Sequence, residues 1–336
     1  MNKIAKTVLM TGTALCAAGV VLSTAGYFAG GKDFTYTSDH MYVSGGNSSS
    51  HKNLTVMKKE QIDDFTKLNV DFENFDLDIR TSDDDHYYME YKLEKNGRKN
   101  PLTWKDKDGE LTLEESAGGS GSYYITYDLG IFSTHADLTE KKYALNTVIL
   151  YIPEKAQLSE AELQLSDGDL TADQLLCKEM TLELLNGDLM LDKGEFEKFD
   201  AKFSDGDLNV KELQCTDNMQ LKSGNGDVTI KKAELADGQI ALSDGDLQID
   251  NSSFNGDMKI NSSCGDVSVE MKNGSAEKTN IYLKAADGDV DTEGLSRGKS
   301  DNEEDTSVYE NKAGASAPTL NVKCSDGDIT LTESEK

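Results

Sequence analysis

The residues best suited to chemistry in this chain are carboxylates beside glycines. Eight Gly-Asp pairs in its second half hold equivalent places in a repeat: Gly168-Asp169, Gly187-Asp188, Gly206-Asp207, Gly226-Asp227, Gly245-Asp246, Gly265-Asp266, Gly288-Asp289 and Gly327-Asp328. The residue before each glycine is, in turn, Asp167, Asn186, Asp205, Asn225, Asp244, Cys264, Asp287 and Asp326. Carboxylates in this number could ligate a hard cation, or supply the acid and base of a sugar-cleaving enzyme. The pattern speaks against both. Glycoside hydrolysis needs one pair at a set separation, whereas these acids form a repeated column. Enzymes acting on acidic polysaccharides also need cations, and Arg80, Arg98 and Arg297 all lie outside the regular repeat. A calcium-binding roll has a different, nine-residue signature.

If the repeats stack as strands, carboxylates in the first column stand ~4.8 Å apart and repel by about 0.9 kcal/mol in bulk water. In the second column charge alternates with a neutral residue over the first six members, which relieves that repulsion. The column is therefore read as structural. Gly accepts positive φ, and Asp or Asn hydrogen-bonds nearby backbone at a turn. No catalytic residue, cofactor or metal ligand is expected.

The other reactive side chains point the same way. Cys177 and Cys215 fall in one apolar column two repeats apart, about 9–10 Å at strand spacing. A disulfide tolerates ~7 Å between Cα atoms. Cys264 is a turn residue and Cys324 an apolar-column residue, so four unpaired thiols are expected, with packing as their role. His40, His51, His86 and His135 all precede the regular repeat and lack zinc-ligand spacing. Tyr87, Tyr88, Tyr91, Trp104, Tyr123, Tyr124 and Tyr127 gather ahead of the repeat, where they are expected to cap its open end.

The elements that must position the column follow from its period. Successive glycines are first 19 or 20 residues apart, the mark of a solenoid whose turns stack on one another. Three and five residues before each glycine stand apolar or small residues such as Leu163 and Leu165; two and four after it stand pairs such as Leu170 and Ala172. Each pair alternates with polar residues and reads as a short strand with one buried face. The pairs are five residues apart, an odd number, so the chain must turn or bulge at the Gly-Asp step. A third column follows nine residues after the glycine: Cys177, Phe196, Cys215, Leu235 and Phe254. Three inward segments per coil predict an all-β parallel β-helix with ~19–20-residue coils. A hairpin at each Asn-Gly would explain the turns but not the third column.

Ahead of the solenoid, residues 1–6 carry Lys3 and Lys6, and residues 7–30 are uncharged and apolar. That run is long enough to span a bilayer, and the lysines place the N-terminus inside. A retained transmembrane helix is expected, with a cleaved signal peptide as the competing reading. Gly12, Gly19 and Gly26 could give weak helix–helix association within the membrane. Residues 31–62 are expected as a flexible spacer, 63–160 as degenerate N-terminal coils and 161–336 as the regular solenoid, with a mobile loop at 291–318. Within the lead-in, Val70, Phe72, Phe75, Leu77 and Ile79 match the repeat spacing with Phe75 in place of glycine. Asp108 to Leu113 matches the repeat's second half. The formal net charge of -28 disfavours nucleic acid and anionic membrane surfaces as partners.

The membrane segment, the spacer, the divergent strand-rich lead-in and the repeated Gly-Asp-Val/Leu/Ile coils together resemble the bacterial DUF4097 adhesin family over Phe65 to Thr332. The resemblance implies a β-helix-like solenoid and no catalytic residues. Related anchored proteins occur beside envelope-stress systems. The expectation is a single-pass cell-membrane protein with its solenoid outside, acting as an adhesin-like or structural module toward a surface protein, a glycan or the cell wall. An accessory role in envelope-stress regulation is the alternative, and a polysaccharide-active enzyme ranks below it.

Overall fold

The computed structural model describes residues 54–117 and 145–335, apart from 293–294, 296–297 and 304–305, together with the backbone of 34–36 and 41–43. The expected membrane helix at 7–30 lies outside these residues. Among those described, no helix is long and apolar enough to cross a membrane.

Phe34–Tyr36 (β1) and Met41–Val43 (β2) pair antiparallel in a sheet of their own. All other strands among the described residues belong to one continuous sheet. Its lead-in comprises β3 (Leu54–Ile62), β4 (Lys67–Phe72), β5 (Asp76–Ser82), β6 (Tyr87–Glu94), β7 (Leu102–Lys107), β8 (Glu110–Glu115) and β9 (Thr147–Pro153). The regular coils comprise β10 (Leu158–Leu165), β11 (Leu170–Asn186), β12 (Leu189–Asp205), β13 (Leu208–Asn225), β14 (Val228–Lys231), β15 (Ala233–Asp244), β16 (Leu247–Phe254), β17 (Met258–Cys264) and β18 (Val267–Met271). The closing part comprises β19 (Asn280–Asp287), β20 (Val290–Asp291), β21 (Lys299–Glu303), β22 (Thr306–Asn311), β23 (Thr319–Asp326) and β24 (Ile329–Glu333).

Within the regular coils every rung pairs parallel with the next, and the apolar columns stack as their spacing requires. Leu170 faces Leu189, which faces Leu208, then Val228, Leu247 and Val267. The third column, from Cys177 through Phe196, Cys215 and Leu235 to Phe254, is buried throughout. Burying one such Leu, Val or Phe side chain contributes roughly 1.5–3 kcal/mol. A rung has its full share only when a neighbour covers each side. That dependence makes the stack cooperative.

Both ends depart from simple succession. At the N-terminal end β4 lies between β10 and β8, and β5 between β11 and β9. The first coil in sequence is thus the second in space. The expected match of Phe75 to the glycine position holds, since Val70 pairs with Leu163 and Leu77 with Leu170. The match of Leu111 and Leu113 to the repeat's second half does not. They pair with Leu68 and Val70 in the first half, and Thr147–Pro153 supplies the second. Alternating apolar residues alone do not distinguish the two strands of a coil.

At the C-terminal end β23 inserts between β17 and β19, and β24 between β18 and β20. The last coil in sequence is therefore the penultimate rung. Antiparallel strands close both ends: β7 on β8, β6 on β9 and β3 on β6 at one, β22 on β19 and β21 on β22 at the other. Two expectations are corrected here. Residues 54–62, read as spacer, form β3; only Ile62 is buried in it, so its sequence has no apolar alternation to betray a strand. Residues 291–318, read as a mobile loop, contain β21 and β22. Ser307, Tyr309 and Asn311 make a buried face in β22 with only one apolar member.

Candidate functional site

The turn column is the feature that recurs from coil to coil, and the structure brings the eight Gly-Asp pairs of the repeat into one line. Gly187 sits on Gly168, Gly206 on Gly187, and so on to Gly265; then Gly327 sits on Gly265 and Gly288 on Gly327. A Cβ at any of these glycines would lie well inside van der Waals distance of a carbonyl oxygen one rung away. Backbone conformation is the lesser requirement. Gly206, Gly226, Gly245, Gly265, Gly288 and Gly327 have positive φ, whereas Gly168 and Gly187 do not. Close approach is what all eight share.

The aspartates act between rungs rather than within their own turns. Asp169 Oδ1 accepts the backbone N–H of Asp188 at 2.9 Å, and Asp188 that of Asp207 at 2.8 Å. Asp207, Asp227 and Asp246 do the same for Asp227, Asp246 and Asp266. Asp266 then accepts from Asp328, and Asp328 from Asp289, at 2.8 Å each, following the spatial order of rungs. Asp76 begins the ladder by accepting from Asp169 at 3.0 Å. Burial, together with the neighbouring Asp169 charge, raises the Asp76 carboxyl above its ordinary value, against the hydrogen bonds from Asp169 and Thr147. The alternation in the second column also has a geometric use. Asn186 Nδ2 donates to Asp167 Oδ1, and Asn225 Nδ2 to Asp205 Oδ1, both at 2.7 Å.

Every first-column carboxylate but that of Asp289, on the last rung, thus accepts an N–H that the strand ladder leaves over. A charged acceptor makes such a bond stronger than a neutral one. Among the described residues no group of three or more His, Cys, Asp or Glu side chains converges as a metal site.

The column ends at Phe75, where a different device takes over. Glu115 accepts the backbone N–H groups of Glu73 at 2.9 Å and Asn74 at 2.6 Å. Arg98 Nη1 meets Glu115 Oε1 at 2.8 Å, both side chains nearly buried, and the guanidinium lies 5.4 Å from the Phe75 ring centre. The sequence showed Arg98 only as an arginine outside the repeat and did not single out Glu115, because 17 residues separate partners that only the fold brings together.

The thiols take the expected places. Cys177, Cys215 and Cys324 are buried, Cys264 is exposed, and none is bonded to another. Burial pushes Cys177 up to about 12 and Cys215 up to about 11, and raises Cys324. Of the histidines only His86 is among the described residues, exposed in a turn with its N–H on Asp84.

Some of the aromatic residues do close the N-terminal end. Tyr87 is buried against Phe65, with ring centres 4.7 Å apart, whereas Trp104 is partly exposed. Tyr123, Tyr124 and Tyr127 lie outside the described residues. Tyr151 and Glu90, which the sequence reading passed over, form the polar centre of this end. The Tyr151 hydroxyl donates to Glu90 at 2.6 Å, and Lys59 Nζ stands 3.7 Å from the Tyr151 ring centre. Burial, then the bond to Glu90, pushes Tyr151 up to about 12. Beside it Val56, Met57, Tyr91 and Ile149 line an apolar cleft of about 440 Å³.

Comparison with known proteins gives a family and several similar solved structures. The family model described as Toastrack DUF4097 matches residues 65–332. No curated protein matches the chain. A solved structure described as a "putative adhesin" from Parabacteroides merdae is 16% identical, with 86% of this chain and 98% of that one covered and a TM-score of 0.47. Another so described, from Parabacteroides distasonis, is 16% identical over 84% and 97% of the chains, with a TM-score of 0.43. A "putative lipid binding protein" from the same species is 12% identical over 84% and 97%, with a TM-score of 0.42.

Proposed function

Because the chain belongs to the Toastrack DUF4097 family, we propose that it is a non-enzymatic, adhesin-like surface module, a rigid β-solenoid held outside the cell by an N-terminal membrane helix at residues 7–30. The observation that carries this reading is the use made of the acidic column. The residues with most chemical potential are spent on holding rungs together, seven of the eight first-column aspartates accepting a backbone N–H from the next rung. What the molecule then offers is surface: stacked parallel strands whose outward side chains repeat at ~4.8 Å. A side-chain array of that kind suits recognition of another extended surface, whether protein, glycan or cell wall.

The uncharged run after Lys3 and Lys6 supports the anchor, and the net charge of -28 disfavours nucleic acid as a partner. Protease added to intact cells, followed by blotting for the solenoid, tests the placement. Digestion without lysis is expected, and protection until lysis would overturn it. A deletion strain tests the role. Loss of contact with neighbouring cells or with a matrix is expected, and unchanged contact would remove the reading.

A further inference from the structure

One outward face of the solenoid has a charge pattern that fits itself. The first-half strands run side by side in the spatial order β8, β4, β10, β11, β12, β13, β15, β17, β23, β19. Two columns of outward side chains run along them in register. One carries Glu162 and Asp200 toward the N-terminal end and Lys259 toward the other. The second carries Glu114, Asp71 and Glu183, then Lys222, Lys323 and Lys284. No ion pair within the chain engages Glu114, Asp71, Glu162, Lys259, Lys323 or Lys284 among the described residues. Four unpaired lysines, Lys222 with the last three, thus lie on one half-face of a chain whose net charge is -28.

We infer that this face is the interface of a homodimer in which two solenoids lie face to face with their axes antiparallel. The symmetry decides the orientation. A half-turn about an axis along the strands sets each column against itself and the first rung against the tenth. Glu114 then meets Lys284, Asp71 meets Lys323 and Glu162 meets Lys259, each twice, as a self-complementary two-fold interface requires. A half-turn about the solenoid axis direction would instead set every rung against its own copy with the two columns exchanged, so that Glu162 would face Gln164, Lys259 would face Asn261 and none of these three pairs would form.

Three contacts oppose the antiparallel pairing. Lys202 would face Lys222, although Glu183 already holds Lys202. At the edge of the face Glu160 and Glu179 would approach Asp257 and Asp237, although Lys67 and Lys198 already pair with those glutamates at 2.6 and 2.8 Å.

Ten strands at ~4.8 Å by about 16 Å of strand length give a face of roughly 700 Å² per partner, close to the ~800 Å² of a standard interface. A second copy also fits better than a free polyanion, which the acidic half of the same face would repel. The pairing deepens the surface-module reading and rests on it in one respect only: with both N-termini anchored, antiparallel solenoids join copies on two facing surfaces.

Charge reversal tests the interface. The full chain in mild detergent is examined by sedimentation over a range of concentrations, at low and high salt. Wild type is expected to dimerise at low salt and to weaken as salt rises. Glu162→Lys and Lys259→Glu each set two like charges together, so each alone is expected to associate at least about tenfold more weakly. An equimolar mixture of the two variants restores both contacts in a heterodimer and is expected to recover association. All three proteins should melt alike, since both positions face solvent. A wild type that stays monomeric at low salt, single variants that associate as wild type does, or a mixture that fails to recover would each overturn the inference. Loss of binding to a cell-wall polyanion in Lys259→Glu, with self-association unchanged, would overturn it in favour of that ligand. Failure here leaves the deletion phenotype of the surface module intact, and a silent deletion leaves the sedimentation result intact.

Discussion

The middle of the solenoid and its two ends solve the same problem differently. From the later part of β11 to β16 each rung is covered by its neighbours in sequence, and one turn recurs from coil to coil: a glycine for close approach and an aspartate for the next rung's N–H. At the ends there is no next rung. The chain there skips a place and comes back, so that β4 and β23 are each clamped between parallel strands on both sides. Antiparallel strands then cover what remains. The edges left over are polar or irregular: β3 breaks register between Met57 and Glu60 beside two lysines, and β21 reads Lys-Ser-Asp-Asn-Glu. Charged, bulged edges discourage end-to-end growth. Repetition stabilises the middle, whereas the ends depend on particular residues used once.

The largest effect expected is in the middle. Leu189→Asp buries an unpaired carboxylate between Leu170 and Leu208, at a cost of roughly 5 kcal/mol or more. Loss of the cooperative melt is expected, and a melt unchanged from wild type would show that the columns do not form the core. Ion pairs then separate the two regions. Glu115→Ala strands Arg98, whose side chain is only 8% exposed, and also frees the N–H groups of Glu73 and Asn74. A loss of about 3–5 kcal/mol is expected. Glu183→Ala removes a pair whose side chains are 57% and 39% exposed, and is expected to cost less than about 1 kcal/mol. Equal losses in urea titration would erase the distinction between end and middle.

Glycine substitutions sharpen it further. Gly187→Ala meets backbone one rung away at a φ that alanine tolerates, so its cost of about 3 kcal/mol is steric. Gly97→Ala has open space but a φ of +81, and about 1–2 kcal/mol is expected from conformation alone. The reverse order on chemical denaturation would remove the close-approach account. The smallest effect at neutral pH comes from the buried thiols. Burial raises Cys177 to about 12, above the ~8.5 of a free thiol. Its contribution is complete below that value and is lost as pH rises toward the folded one. Stability should fall from about pH 9 upward, less steeply in Cys177→Ala. An identical slope in that variant would mean the thiol is not held neutral.

Much of the middle was legible because a fixed period exposes both faces of each strand at once. The place of Phe75 was legible for the same reason, from the spacing of Val70, Phe72, Leu77 and Ile79. The ends were not. Which rung lies beside which is a long-range contact, and alternation in Leu111 and Leu113 suits either half of a coil. Strands β3 and β22 carry so little apolar surface that they read as spacer and loop. The acidic column was found by residue type, but its bonds were expected at each turn. Only the stacked backbone shows that Asp207 serves the N–H of Asp227, 20 residues on.

That ladder is the central claim, and melting the protein in excess calcium and again in chelator tests it most directly, with Asp207→Asn and Asp207→Ala alongside. The account predicts the same melting temperature with calcium and with chelator. It also predicts a loss of about 1–2 kcal/mol in Asp207→Ala, which removes the acceptor, and a smaller one in Asp207→Asn, which keeps an acceptor oxygen. A large stabilisation at micromolar calcium, lost in Asp207→Asn, would contradict it and make the column a cation site.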